Sequence, residues 1–159
     1  DGIFCMNIEY INPFIEASKT VLKQTAGIDV KLGKVYIKES PYRSNSIIII
    51  VGLTGKIRGQ AMFSMAMDVG LFIASSMMGG APVLELDEMS KSALSELTNM
   101  ILGNTATILY NKGMAIDITP PTCLFGDNLQ ISNNKLRIVC IPLIMEDGKA
   151  FEIDVAFEE

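Results

Sequence analysis

The sequence predicts a single α+β domain: a largely antiparallel sheet, built as a meander of three strands plus a C-terminal hairpin, packed with three helices. Three observations carry this expectation. Apolar residues recur at helical spacing in three segments, each with an identifiable stop. Between them lie short strand-like runs joined by turn residues, with no helix interposed where a parallel crossover would need one. The 159 residues are 49% hydrophobic and 19% charged, which suits one compact core and excludes a disordered chain.

Taken in order, Ile8, Ile11, Ile15, Val21 and Leu22 place an amphipathic helix over residues 7–25, ended by Gly27. Pro13 lies inside it, so either the helix kinks there or it starts at Asn12 as its cap, with Pro13 in the first turn. Residues 30–38, 46–53 and 56–64 read as strands, and Thr54-Gly55 links the last two as a tight antiparallel turn. Residues 68–78 form a short helix stopped by Gly79-Gly80 and Pro82. Asp87 caps a longer helix that runs to about Asn111, with Gly113 just beyond. Thr119-Pro120-Pro121-Thr122 interrupts regular structure, and 136–145 with 150–157 make the last hairpin around Glu146-Asp147-Gly148. No internal repeat or linker is evident, so one domain is expected over 6–159. Residues 1–5 read as vector sequence ahead of a natural start at Met6.

Composition removes several functions. The net charge is −5 and the basic residues are scattered, which argues against a nucleic-acid partner. No apolar run reaches the roughly 18 residues of a membrane span, and the run from Ile47 to Leu53 reads as a buried strand. Cys5, Cys123 and Cys140 have no metal-ligand spacing and an odd count, as fits reduced thiols in a cytoplasmic protein. No metal site is expected in this chain. The absence of histidine removes the commonest general base, the commonest metal ligand and every His-dependent triad. Chemistry must then run on carboxylates, amides, hydroxyls, Lys, Arg, or groups that a partner brings. Met62, Met65, Met67, Met77, Met78, Met89 and Met100 crowd the two central helices, where core filling is their expected role.

The long helix is the informative element. On a wheel of about 100° per residue, Leu94, Leu97, Ile101, Thr105 and Ile108 fall within about 80° of one another, with Leu102 and Leu109 beside them. That stripe faces the core. Ser92, Glu96, Asn99 and Gly103 fall on the opposite side, in steps of four, three and four, and project into one patch. Spacing alone describes an ordinary solvated face. Gly103 asks for more, because a mid-helix glycine costs about 1 kcal/mol relative to alanine. Close approach of another backbone is one reason for it; packing against a neighbouring helix of the same domain is the other.

The segment S-A-L-S-E-L-T-N-M-I-L-G-N gains meaning together with the opening M-N-I-E-Y-I-N-P-F-I-E-A, the run L-T-G-K-I-R-G-Q-A-M-F-S-M, A-S-S-M-M-G-G, I-T-P-P-T and the later F-G-D. Over nearly all of 6–159 the chain resembles the CheX branch of the CheC/CheX family of chemotaxis phosphatases. The family signature is Asp or Ser, three residues, Glu, two residues, Asn; Ser92, Glu96 and Asn99 match it. CheC-type members carry a second copy on an earlier, related helix. The equivalent stretch here, 68–78, has neither Glu nor Asn, so the chain is similar to the single-site CheX type.

The resemblance implies a cytoplasmic protein phosphatase that hydrolyses the aspartyl phosphate of a CheY-like response regulator. It makes Asn99 the amide that orients the attacking water and Glu96 the carboxylate that docks on the receiver's lysine. Ser92 and Gly103 become supporting residues. It also implies a homodimer joined through sheet edges, and a Mg²⁺ held by the partner receiver, with no cofactor bound by this chain. The chemistry is consistent with such residues. An aspartyl phosphate is an activated mixed anhydride, a receiver already supplies metal and lysine, and what is missing is a water held in line. A side-chain amide can accept from that water and donate to a phosphoryl oxygen, while a carboxylate beside an ammonium makes a short, charge-assisted contact. The alternative is a non-catalytic binding module or scaffold that recognises a receiver domain.

Overall fold

The computed structural model describes residues 2–132 and 137–158, with side chains from Glu9 onward. Helices α1 (Gly2–Ala26), α2 (Met67–Met77) and α3 (Glu88–Asn111) pack on one face of an eight-stranded antiparallel sheet. The sheet holds β1 (Val30–Leu32), β2 (Tyr36–Lys38), β4 (Ile47–Gly55), β5 (Gly59–Met65), β6 (Ile116–Ile118), β7 (Thr122–Phe125), β9 (Arg137–Met145) and β10 (Ala150–Phe157). A small second sheet, β3 (Tyr42–Arg43) with β8 (Gln130–Ile131), lies over its other face. The α+β class and the antiparallel sheet are as expected. The start of the last predicted strand, Leu136, lies outside the described residues.

The order of the strands is not that of a meander. It runs β1-β9-β10-β5-β4-β6, with β2 also beside β9 and β7 beside β4. The early strands therefore join β9 rather than β4. The predicted strand 30–38 is broken at Gly33, whose N–H bonds the Pro142 carbonyl at 2.9 Å and where a Cβ would stand 3.0 Å from Ile144. The terminal hairpin β9–β10 sits inside the sheet and offers no free edge. Helix α1 runs through Pro13 without a new start at Asn12.

This order contains a two-fold repeat. The succession α1-β1-β2-β4-β5 recurs as α3-β6-β7-β9-β10, and the outer strands of each half pair with the hairpin of the other. β1 lies along Leu143–Met145, just before the β9–β10 turn, and β6 lies along Leu53–Gly55, just before the β4–β5 turn. The topological counterpart of α3 is thus α1. The stretch 68–78, expected as the related helix, is α2, a connector between the halves.

Strand alternation explains the core. Ile47, Ile49, Val51 and Leu53 meet the helices together with Phe63, Ile141 and Ile153. Ile48, on the other face, is covered with Met62, Ile138 and Ala156 by Tyr42, Leu129 and Ile131. Burial on both faces is why 47–51 reads as an unbroken apolar run. Beside that second cluster lies a polar network. The fully buried Asp154 accepts from Lys38 Nζ and from the Tyr42 hydroxyl, both at 2.9 Å, through Oδ2. Glu152 accepts from Tyr36 (2.9 Å), from the Cys140 thiol (3.0 Å) and from Lys38 (3.4 Å).

Among the described residues, no helix is long and apolar enough to cross a membrane.

Candidate functional site

Helix α3 is well anchored at both ends. Asp87 Oδ1 accepts from the Ser90 backbone N–H at 2.9 Å and from the Ser90 hydroxyl at 2.8 Å. Those two bonds hold the Asp87 carboxyl below its usual range. At the other end Gly113 adopts φ of +81°, and the Met114 N–H closes on the Leu109 carbonyl at 2.9 Å. Between them Leu94, Leu97, Ile101, Leu102 and Leu109 are buried, as the wheel requires. Thr98 and Thr105 are buried in the same stripe, where each returns its hydroxyl to the carbonyl four residues back, Leu94 at 3.0 Å and Ile101 at 2.8 Å.

The opposite side carries the predicted residues together. Ser92 and Glu96 are exposed, while Asn99 and Gly103 are half-buried. Among the described residues none of the Ser92, Glu96 and Asn99 side chains has a hydrogen-bond partner, so the donors and acceptors of the Asn99 amide are unspent. Residues three and four apart on a helix have Cβ atoms about 5–6 Å apart, so Glu96 and Asn99 can act on one partner site. The pocket formed by Gly27, Ile28, Asp29, Phe72, Met145, Glu146 and Asp147 includes no residue of α3. Among the described residues no group of three or more Cys, Asp or Glu is placed to hold a metal.

Gly103 is informative in a different way. A Cβ built there meets nothing within 4 Å, so close packing inside the domain is not the reason for the glycine. Gly103→Ala is accordingly expected to stabilise the free protein by about 0.5–1 kcal/mol, a Tm rise of about 2 °C in thermal unfolding. A fall in Tm would show that the fold itself demands glycine there. The methionines divide along the same line: Met62 and Met65 are buried and Met67, Met77 and Met78 pack on the core, whereas Met89 and Met100 on α3 are exposed. The spacing also continues beyond Gly103 to Ala106 and to Tyr110, which is 71% exposed. The signal for including them is readable: no charged residue lies between Glu96 and Lys112.

A family model described as "Chemotaxis phosphatase CheX" matches residues 47–143. The CheY-P phosphatase CheX of Thermotoga maritima is 30% identical over 151 residues, which cover 95% of this chain and 97% of that protein. Among solved structures, CheX of Desulfovibrio desulfuricans has a TM-score of 0.84 and 26% identity, covering 94% of this chain and 99% of that one. The CheX–CheY–BeF3–Mg²⁺ complex of Borrelia burgdorferi matches with a TM-score of 0.81 and 32% identity, covering 94% and 98%. With the fold, the sequence and the family model in agreement, the chain belongs to the chemotaxis phosphatase CheX family.

Proposed function

We propose that the domain formed by residues 6–159 is a phosphatase that hydrolyses the aspartyl phosphate of a CheY-like response regulator. The observation that carries this reading is the couple of exposed Glu96 and half-buried Asn99, neither side chain with a hydrogen-bond partner among the described residues, on a helix capped at both ends in a chain of this family. Water attacks phosphorus, the bond from phosphorus to the aspartyl oxygen breaks, and the receiver's carboxylate and inorganic phosphate are released, with the water's proton leaving on the phosphate. Asn99 inserts its amide so that the oxygen accepts from the water and the NH₂ donates to a phosphoryl oxygen. Glu96 pairs with the receiver's lysine and sets the docking angle. Ser92 supports the helix edge of the contact, and Gly103 leaves room for the receiver's backbone.

The metal in this scheme belongs to the receiver, where it neutralises charge on the phosphoryl oxygens. The Borrelia relative, which forms a complex with CheY, BeF3 and Mg²⁺, supports that division. The test is direct: a phosphorylated CheY-like receiver loses phosphate faster with this protein than without it. Equal rates would remove the phosphatase reading and leave a binding module.

Two further features accompany the reading. A cytoplasmic location fits Cys123 and Cys140, both free thiols, Cys140 being pushed up by burial so that it stays protonated. A homodimer fits the β1–β2 edge, where Leu32, Tyr36 and Ile37 are exposed and, among the described residues, no further strand pairs. Ile37→Lys is expected to give a monomer in size-exclusion chromatography with light scattering; an unchanged dimer would place the contact elsewhere.

A further inference from the structure

The two halves of the fold supply an internal comparison. Ser18 on α1 and Thr105 on α3 are both fully buried, and each donates to the carbonyl four residues back, Phe14 at 2.7 Å and Ile101 at 2.8 Å. On that register Phe14 matches Ile101 and Leu22 matches Leu109, all fully buried. The register slips by one residue only at the helix ends. There the Ile28 N–H reaches back to the Leu22 carbonyl (3.2 Å), whereas the Met114 N–H reaches back to Leu109 (2.9 Å). Gly27 and Gly113, both at positive φ, therefore still correspond.

On the same register Glu9 and Asn12 fall on Glu96 and Asn99, and both are exposed. A Glu-x-x-Asn couple is therefore present on both helices and does not by itself mark the working one. One difference is the first position of the signature, Cys5 in α1 against Ser92 in α3; the others lie beyond the couple. Along the continuing stripe α1 presents Glu16, Lys19 and Lys23, all exposed and charged, with Lys23 held to Asp29 at 3.0 Å. At the matching positions α3 presents Gly103, Ala106 and Tyr110. Pro13 also deprives the Glu9 carbonyl of its helical partner, in the turn that joins Glu9 to Asn12.

Gly103 and Ala106 form a low, uncharged strip. Tyr110 stands at its end, about 16 Å from Asn99 at 1.5 Å per residue. Met89, 68% exposed, stands about 15 Å away in the other direction. A contact of about 800 Å² per partner has a radius of about 16 Å and takes in both. From Asn99 to Tyr110 the face carries no charge and ends in an exposed aromatic, which is the composition of an interface core rather than of a solvated face.

We infer that the receiver is seated along Gly103, Ala106 and Tyr110, and that this stripe, rather than the Glu-x-x-Asn couple, selects α3 over α1 as the working helix. The inference rests on the phosphatase reading above. The low strip admits the receiver's main chain close to the helix axis. Tyr110 lays its ring on the receiver's apolar surface and keeps its hydroxyl at the wet rim.

Two measurements with one CheY-like receiver test this: steady-state phosphate release, and titration of the receiver loaded with beryllium fluoride and Mg²⁺. Tyr110→Ala is expected to raise KM and Kd about tenfold with kcat held within about twofold. Tyr110→Phe, which keeps the ring, restores both constants to within about twofold of wild type. Gly103→Glu with Ala106→Lys, which writes the residues of α1 onto α3, abolishes capture while the circular dichroism spectrum stays native. Wild-type KM and Kd in Tyr110→Ala overturn the inference and leave the phosphatase reading standing. Rapid hydrolysis by an Asn99→Ala protein through Glu9 and Asn12 overturns it as well. A wild-type protein that neither binds the receiver nor releases phosphate overturns the phosphatase reading and this inference together.

Discussion

Asn99→Ala is expected to leave a phosphorylated receiver captured while its hydrolysis slows by about 10²–10³-fold, the usual loss when one preorganised polar group is removed from a transition state. The substitution is exposed enough to spare the fold: Asn99 lies outside the buried stripe and its side chain has no partner within the described residues. What is removed is an amide that holds water and phosphoryl oxygen in one geometry, an interaction made chiefly in the transition state, so kcat falls and KM hardly moves. Glu96→Ala should divide its effect the other way. Loss of a charge-assisted contact to the receiver's lysine weakens binding first, and the remaining Asn99 still catalyses in those complexes that form. Single-turnover phosphate release at saturating protein separates the two. Equal phosphate loss with wild type and Asn99→Ala would sink the water-orienting role, and an unchanged Kd in Glu96→Ala would sink the docking role. Glu9 and Asn12 remain in both variants, so residual activity also reports on α1.

Much of α3 is legible in the sequence because each of its features has a local cause. Asp87 caps through Ser90, Gly113 turns the chain out, and the apolar stripe repeats at helical spacing, so Ser92, Glu96, Asn99 and Gly103 come out on one side. The strand order is not legible in the same way. β1 and β2 find their partner in β9, more than a hundred residues on, and nothing in 30–38 distinguishes β9 from β4 as a neighbour. The two-fold repeat is hidden for a related reason. α1 and α3 share a burial pattern and one couple, while the intervening side chains differ, so self-similarity appears only when hydrogen bonds such as Ser18–Phe14 and Thr105–Ile101 fix the register. Residues 68–78 lie in α2, the helix that immediately precedes α3 in sequence. The exchange of outer strands makes α1 the true counterpart. Pro13 is the opposite case: a local rule offers a helix start at Asn12, but α1 continues across Pro13 with Ile11 and Phe14 packed into the core.

The largest expected effect on stability lies on the other face of the sheet, at Lys38. Its side chain is 11% exposed and bonds Asp154, which is 0% exposed. Asp154 Oδ1 already lacks a partner among the described residues, so Oδ2 with Lys38 and Tyr42 carries the whole compensation of a buried carboxylate. Lys38→Met removes the cation and leaves the anion, which typically costs about 3–5 kcal/mol, against near neutrality when both partners are replaced by apolar residues. A Tm fall on the order of 10 °C is expected for a chain of this size, and Lys38→Met with Asp154→Leu should recover most of it. A double variant as unstable as the single would mean that shape, and not uncompensated charge, governs the site. The same network fixes the pH dependence. Burial works to lower the Lys38 pKa, but the Asp154 carboxylate overrides it and holds the group above its ordinary 10.5. Its stabilisation is thus full below 10.5 and is lost as pH rises through the folded value. For Glu152 burial works upward, yet the Cys140 thiol and Lys38 hold it below its ordinary 4.5. That contribution is present above 4.5 and is lost as pH falls through the depressed value. Thermal unfolding across pH should therefore show one limb below about 4.5 and an alkaline limb that begins above about 9. There burial keeps the proton on the Cys140 thiol and then on the Tyr36 and Tyr42 hydroxyls, and Lys38 adds to the limb above about 10.5. Lys38→Met abolishes the alkaline limb attributed to this group and shrinks the acid one, because Glu152 keeps its bonds from Cys140 and Tyr36. A reduced alkaline limb from Cys140, Tyr36 and Tyr42 remains in that variant; a limb of full wild-type height would leave Lys38 no share in it.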